Sequence, residues 1–67
     1  MNARYENILY DGQLQTFEFL GMQRDSRGRF KFGLYTSDRG YTLGVRTLDT
    51  LLQEQTENRV AEPILKE

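Results

Sequence analysis

The sequence predicts a mainly β fold of the α+β class. The expected fold is a small antiparallel sheet of about four strands, SH3-like or half-barrel in curvature, then one short helix and a C-terminal tail. Three observations lead there. Two turn motifs of one design, Asp25-Ser26-Arg27-Gly28 and Ser37-Asp38-Arg39-Gly40, stand twelve residues apart. Apolar residues alternate on both sides of these motifs with the period of a half-buried strand. After Val45 the alternation gives way to Leu48, Leu51 and Leu52, which share one helical face.

The strand elements follow in order. A first run over residues 4–10 ends at an Asp11-Gly12 turn. The second, over 14–23, is apolar on both parities, with Phe17 and Phe19 on one and Leu14, Leu20 and Met22 on the other. A strand with two apolar faces is sandwiched or bulged. In the third, Phe30, Phe32 and Leu34 alternate with Arg29, Lys31, Gly33 and Tyr35. In the fourth, Tyr41, Leu43 and Val45 alternate with Thr42, Gly44 and Arg46. In each long turn an Asp or Ser opens the chain reversal through side-chain-to-backbone bonds, and the glycine supplies the left-handed residue.

Closing both turns tightly sets a register. One face then places Phe19 opposite Leu34 and Leu34 opposite Leu43, with Phe32 between Gly21 and Val45, and Phe17 beside Thr36 and Tyr41. This is the expected core face. The other face aligns Leu20, Gly33 and Gly44, flanked by Met22, Lys31 and Arg46 in one row and by Glu18, Tyr35 and Thr42 in the other.

Thr47 is the expected helix N-cap, with Asp49 favourably placed in the first turn. Nothing apolar occurs over residues 53–58, so the helix is short or its second half is solvated. Pro63 stops any helix, and Pro63-Ile64-Leu65 adds a last short strand, docks as an extended segment or stays loose. Residues 1–57 read as the single domain and 58–67 as its tail.

Composition narrows the chemistry. The chain has 67 residues, no cysteine and no histidine. A disulfide framework and a thiolate zinc site are excluded, and the usual general base and metal ligand near neutral pH is missing. Ser26 and Ser37 sit in the turns with no histidine to activate them, no glycine loop cradles a phosphate, and no calcium-loop spacing occurs. No enzyme activity, metal or cofactor is therefore expected. The absence of any long apolar run leads us to expect a soluble, cytoplasmic protein with no membrane partner. The net charge of −1 conceals a split, since residues 1–46 carry net +2 and residues 47–67 net −3.

Two binding surfaces emerge. The glycine-floored face (Leu20, Met22, Lys31, Gly33, Tyr35, Gly44 and Arg46) reads as a docking groove, because glycine in a strand often marks close approach by another backbone or a ligand. The competing reading is that the glycines let a small barrel coil, or that the helix and tail fill the dip. Lys31 opposite Arg46 is a like-charge pair to be neutralised by the acidic C-terminal third or screened by solvent, with a partner carboxylate or a phosphate as the external alternative. The second surface is the basic hairpin carrying Arg24, Arg27, Arg29 and Lys31, interleaved with Phe30 and Phe32 and suited to nucleic acid. The aromatics are displaced by one place from the RNA-recognition pattern, and the register assigns both rings to the core, where they could not stack on bases. The expected function is a small non-catalytic protein-binding or regulatory module, with a protein partner or a second copy of the chain (a homodimer) and with nucleic acid as the alternative. Its size and layout are those of many small bacterial and phage-encoded proteins, an analogy of fold alone.

Overall fold

The computed structural model describes residues 3–66. The elements are β1 (Arg4–Tyr10), β2 (Gln13–Arg24), β3 (Lys31–Ser37), β4 (Thr42–Gly44), α1 (Val45–Asn58) and β5 (Ile64–Lys66). They form one antiparallel sheet in the order β4-β3-β2-β1-β5. The sheet thus has five strands, not four. The tail provides the fifth, with Leu65 opposite Tyr5 and Ile64 opposite Glu6.

Helix α1 packs on one face of the sheet. Ile8, Phe17, Leu43 and Leu48 are buried there, and Tyr5, Tyr10, Tyr35, Tyr41, Leu51 and Leu52 pack around them. Burying such an apolar side chain contributes roughly 1.5–3 kcal/mol. Tyr10 adds edge-to-face contacts, 6.0 Å from Phe17 and 5.1 Å from Tyr41 between ring centres. Gln15 is buried beside them, donating from Nε2 to Tyr10 O at 2.7 Å, while its Oε1 has no partner among the described residues.

Local chemistry explains the turns. Asp11 and Gly12 both take positive φ (50° and 74°), as the tightest hairpin turn requires. In the β2–β3 loop Asp25 Oδ1 accepts from the backbone N–H of Arg27 (3.1 Å) and Arg29 (2.9 Å), and Gly28 is left-handed. In the β3–β4 loop Ser37 Oγ accepts from the N–H of Arg39 and Tyr41, and Gly40 is left-handed.

The register differs from the expected one. Pairing resumes at Asp25 N–H to Phe30 O (2.9 Å) and at Ser37 N–H to Tyr41 O (2.8 Å), so each turn glycine lies inside its loop. Leu20 is a further extra residue, because Phe19 faces Tyr35 while Gly21 faces Leu34. The result is Met22 opposite Gly33, Tyr35 opposite Leu43, and Leu34 opposite Gly44. Strand side chains alternate, so a one-place slip exchanges faces. Tyr35 therefore turns inward against Phe19 and Tyr5, with ring centres 5.3 and 6.0 Å away. Leu34 moves to the outer face, and Phe30 and Phe32, expected in the core, are 66% and 40% exposed.

The helix also begins earlier than expected. Gly44 is its N-cap, in extended conformation (φ −72°, ψ 160°) and with no side-chain cap bond, so Thr47 does not cap. Val45 and Arg46 accordingly belong to α1 and not to β4. The polar run over 53–58 is helical, and within it Gln55 is buried. Its side chain accepts from Leu9 N–H (2.9 Å) and donates to Leu9 O (2.6 Å). Asn7, bulged at φ 66°, donates to Glu62 O at 3.1 Å. The outer edge of β1 is thus covered by β5, Asn7 and Gln55 in succession.

Candidate docking site beside the open end of β3

β4 pairs with β3 only over residues 34–36. The chain then leaves the sheet as α1, and no strand lies beside residues 31–33 on that side among the described residues. Gly33 forms the floor of the dip left there. A Cβ on it would stand 2.5 Å from Val45 Cγ2 and 3.1 Å from Phe19 Cε1, so only glycine lets Val45 close over β3. The cavity holds about 470 Å³. Its wall is apolar, made by Met22, Phe32, Val45 and the two glycines, and Lys31 and Arg46 stand at its rim.

Of the residues expected to form the glycine-floored face, Met22, Lys31, Gly33, Gly44 and Arg46 come together here. Their geometry differs from the expectation: Gly33 and Gly44 are not opposite each other, and Lys31 faces Arg24 across the hairpin. Leu20 sits in the bulge, about half exposed, and Tyr35 is on the core side. Phe32 and Val45 were missed, because the slipped register placed both in the core.

The electrostatics are one-sided. The ion pair among the described residues is Arg4–Glu6 at 3.2 Å, so neither Lys31 nor Arg46 has a close ion-pair partner among the described residues. The first turn of α1 carries no acidic residue. Elsewhere, partial burial, with Tyr5 and Asp49 nearby, raises the Tyr35 phenol above its ordinary value. A hydrogen bond donated to Asp11 does the same for Tyr41.

The hairpin tip holds the other basic residues. Arg24 Nη1 donates to Gly28 O at 3.1 Å, and Asp25 is occupied by the loop's own N–H groups. The Arg29 guanidinium stands 6.0 Å from the centre of the exposed Phe30 ring. A larger hollow of about 650 Å³ lies at the α1–β5 connection, lined by residues such as Thr56, Arg59 and Pro63, none of them expected at a site. Among the described residues no three acidic side chains gather as metal ligands would, and no helix is long and apolar enough to cross a membrane. Comparison with protein-family models, curated proteins and solved structures finds no match to this chain.

Proposed function

We propose that this chain is a small non-catalytic protein-binding or regulatory module of bacterial or phage type, working in the cytoplasm from a half-barrel-like sheet. Its working surface is the dip beside β3. The observation that carries this reading is an apolar hollow of about 470 Å³ rimmed by two cations that have no ion-pair partner among the described residues. Gly44→Val tests it. Gly44 is extended, and the nearest atom to a Cβ there is Gly33 O at 3.9 Å, so the backbone and the space at Cβ admit a side chain. The variant is expected to keep the wild-type melting temperature and lose its partner in isothermal titration. Full binding by a folded variant would sink the reading.

A specific observation favours nucleic acid as the second reading: Phe30 and Phe32 stand outside the core, among Arg24, Arg27, Arg29 and Lys31. Exposed rings between cations are the elements of a single-strand binding surface. This reading expects anisotropy of a labelled mixed-sequence oligonucleotide to rise at low salt. It also expects the response to weaken in Arg27→Ala and Arg29→Ala. A flat titration at low salt removes it.

A further inference from the structure

We infer that the dip takes an extended acidic segment of a partner protein, one bulky apolar side chain entering the hollow and flanking carboxylates meeting Lys31 and Arg46. The inference rests on the docking reading above and adds the chemistry of the occupant.

Three features select it. The backbone comes first. Ser37 N–H bonds across to Tyr41 on the β4 side, while Phe30 C=O bonds across to Asp25 on the β2 side. Peptide groups alternate sides along a strand, so those of Lys31 and Gly33 point to the β4 side. There β4 has already ended and the Gly33 C=O lies against Gly44, so a segment lying along this line is extended and meets the Lys31 N–H and C=O and the Gly33 N–H.

Shape comes second. The wall offers the flexible Met22 side chain, 59% exposed, beside Phe32 and Val45, with Gly33 beneath. Methionine adapts to varied apolar guests, and a concave apolar surface accepts a side chain better than the face of a base.

Charge comes third. Lys31 and Arg46 approach the hollow from the strand and the helix, and neither has a close ion-pair partner among the described residues. A second copy docking dip to dip would bring two Lys31 and two Arg46 together, and like charges across an interface oppose it. A carboxylate-bearing segment relieves the same charges.

The test is amide-shift NMR of the full chain titrated with synthetic pentapeptides. The probe is acetylated Asp-Glu-Phe-Glu-Asp; its controls carry lysine for every acid, or alanine for the phenylalanine. A thymidine octamer is the nucleic-acid arm. The acidic phenylalanine peptide is expected to shift the amides of Gly33, Gly44 and Arg46, and to bind at least about tenfold more tightly than either control. Lys31→Gln and Arg46→Gln should each weaken it by roughly two- to fivefold, the range of an exposed ion pair. Equal binding of the acidic and basic peptides at these amides overturns the acidic specificity and leaves the docking reading standing. If no peptide shifts them while the octamer shifts Phe30 and Phe32, both readings fall.

Discussion

Gln55 clamps helix α1 to the backbone of β1. It lies 5% exposed in an otherwise polar stretch of α1, and its amide closes two hydrogen bonds on the backbone of Leu9, at 2.9 and 2.6 Å. A single net hydrogen bond contributes about 0.5–1.5 kcal/mol, and a shielded partner left without one costs about 1–3 kcal/mol. Gln55→Leu keeps the volume and deletes both bonds, so it should destabilise by roughly 2–3 kcal/mol. A chain of this length has a total stability of roughly 3–10 kcal/mol. The change would therefore lower the melting temperature by roughly 10–20 °C. The assay is urea and thermal unfolding followed by far-UV circular dichroism, since the chain has no tryptophan. Gln53→Leu is the control. Gln53 is exposed and bonds only Glu57, one turn on, so its loss should cost a few tenths of a kcal/mol at most. Gln55→Glu adds a pH test, because a carboxylate cannot donate to Leu9 O and a protonated carboxyl can. The fold favours the protonated carboxyl, so the deficit of this variant should shrink as pH falls towards the ordinary glutamate value and change no further below it. A Gln55→Leu protein within about 0.5 kcal/mol of wild type would refute the clamp, given what two such bonds contribute.

Three further outcomes follow from the same geometry. Gly33→Ala forces a Cβ against Val45 Cγ2 and should destabilise by about 1–3 kcal/mol in urea unfolding, whereas Gly44→Ala should be near neutral. Phe17→Ala removes a fully buried ring and should cost about 3–5 kcal/mol, enough to unfold much of the protein. Phe30→Ala, at an exposed position, should leave the unfolding midpoint unchanged. The Tyr41 phenol donates to Asp11, and its pKa is raised in the folded state. The fold thus favours the protonated phenol, and its contribution is complete below the ordinary tyrosine value and lost as pH rises through the raised one. Above about pH 10 wild type should lose stability that Tyr41→Phe does not lose, read from the pH dependence of the urea midpoint.

What was legible in the sequence was local. Asp11-Gly12, Asp25 with Gly28, and Ser37 with Gly40 mark the three hairpin turns because each acts through its own side chain or φ angle. Leu48, Leu51 and Leu52 mark the buried face of α1 by spacing alone. What was not legible depends on counting. A sheet has a period of two, so one residue miscounted in a loop or a bulge exchanges the faces; Gly40 is such a residue in its loop and Leu20 in its bulge. That error sent Phe30 and Phe32 inward and Tyr35 outward. Most of the dip was still found, because Gly44 and Arg46 are close neighbours in sequence and β3 ends there in either register. Gln55 carries no local signal: its partner lies 46 residues away, and a buried glutamine in a polar run looks like a solvated one.

The two edges of the sheet are treated differently. The β1 edge is closed by β5, by Asn7 and by Gln55, whereas the β3 edge over residues 31–33 is left open beside Lys31. A lysine near an open strand is a common guard against edge-to-edge association. Guarding requires only a charge of either sign and no hollow beside it. Lys31→Glu discriminates between the two roles. If Lys31 only guards, the variant stays monomeric by light scattering and binds the acidic pentapeptide as wild type does. If Lys31 serves a docking site, the variant also stays monomeric, but its affinity for that peptide falls by roughly tenfold as an attraction becomes a repulsion. Its preference between the acidic and basic peptides narrows or reverses. An unchanged preference would assign Lys31 to edge protection alone.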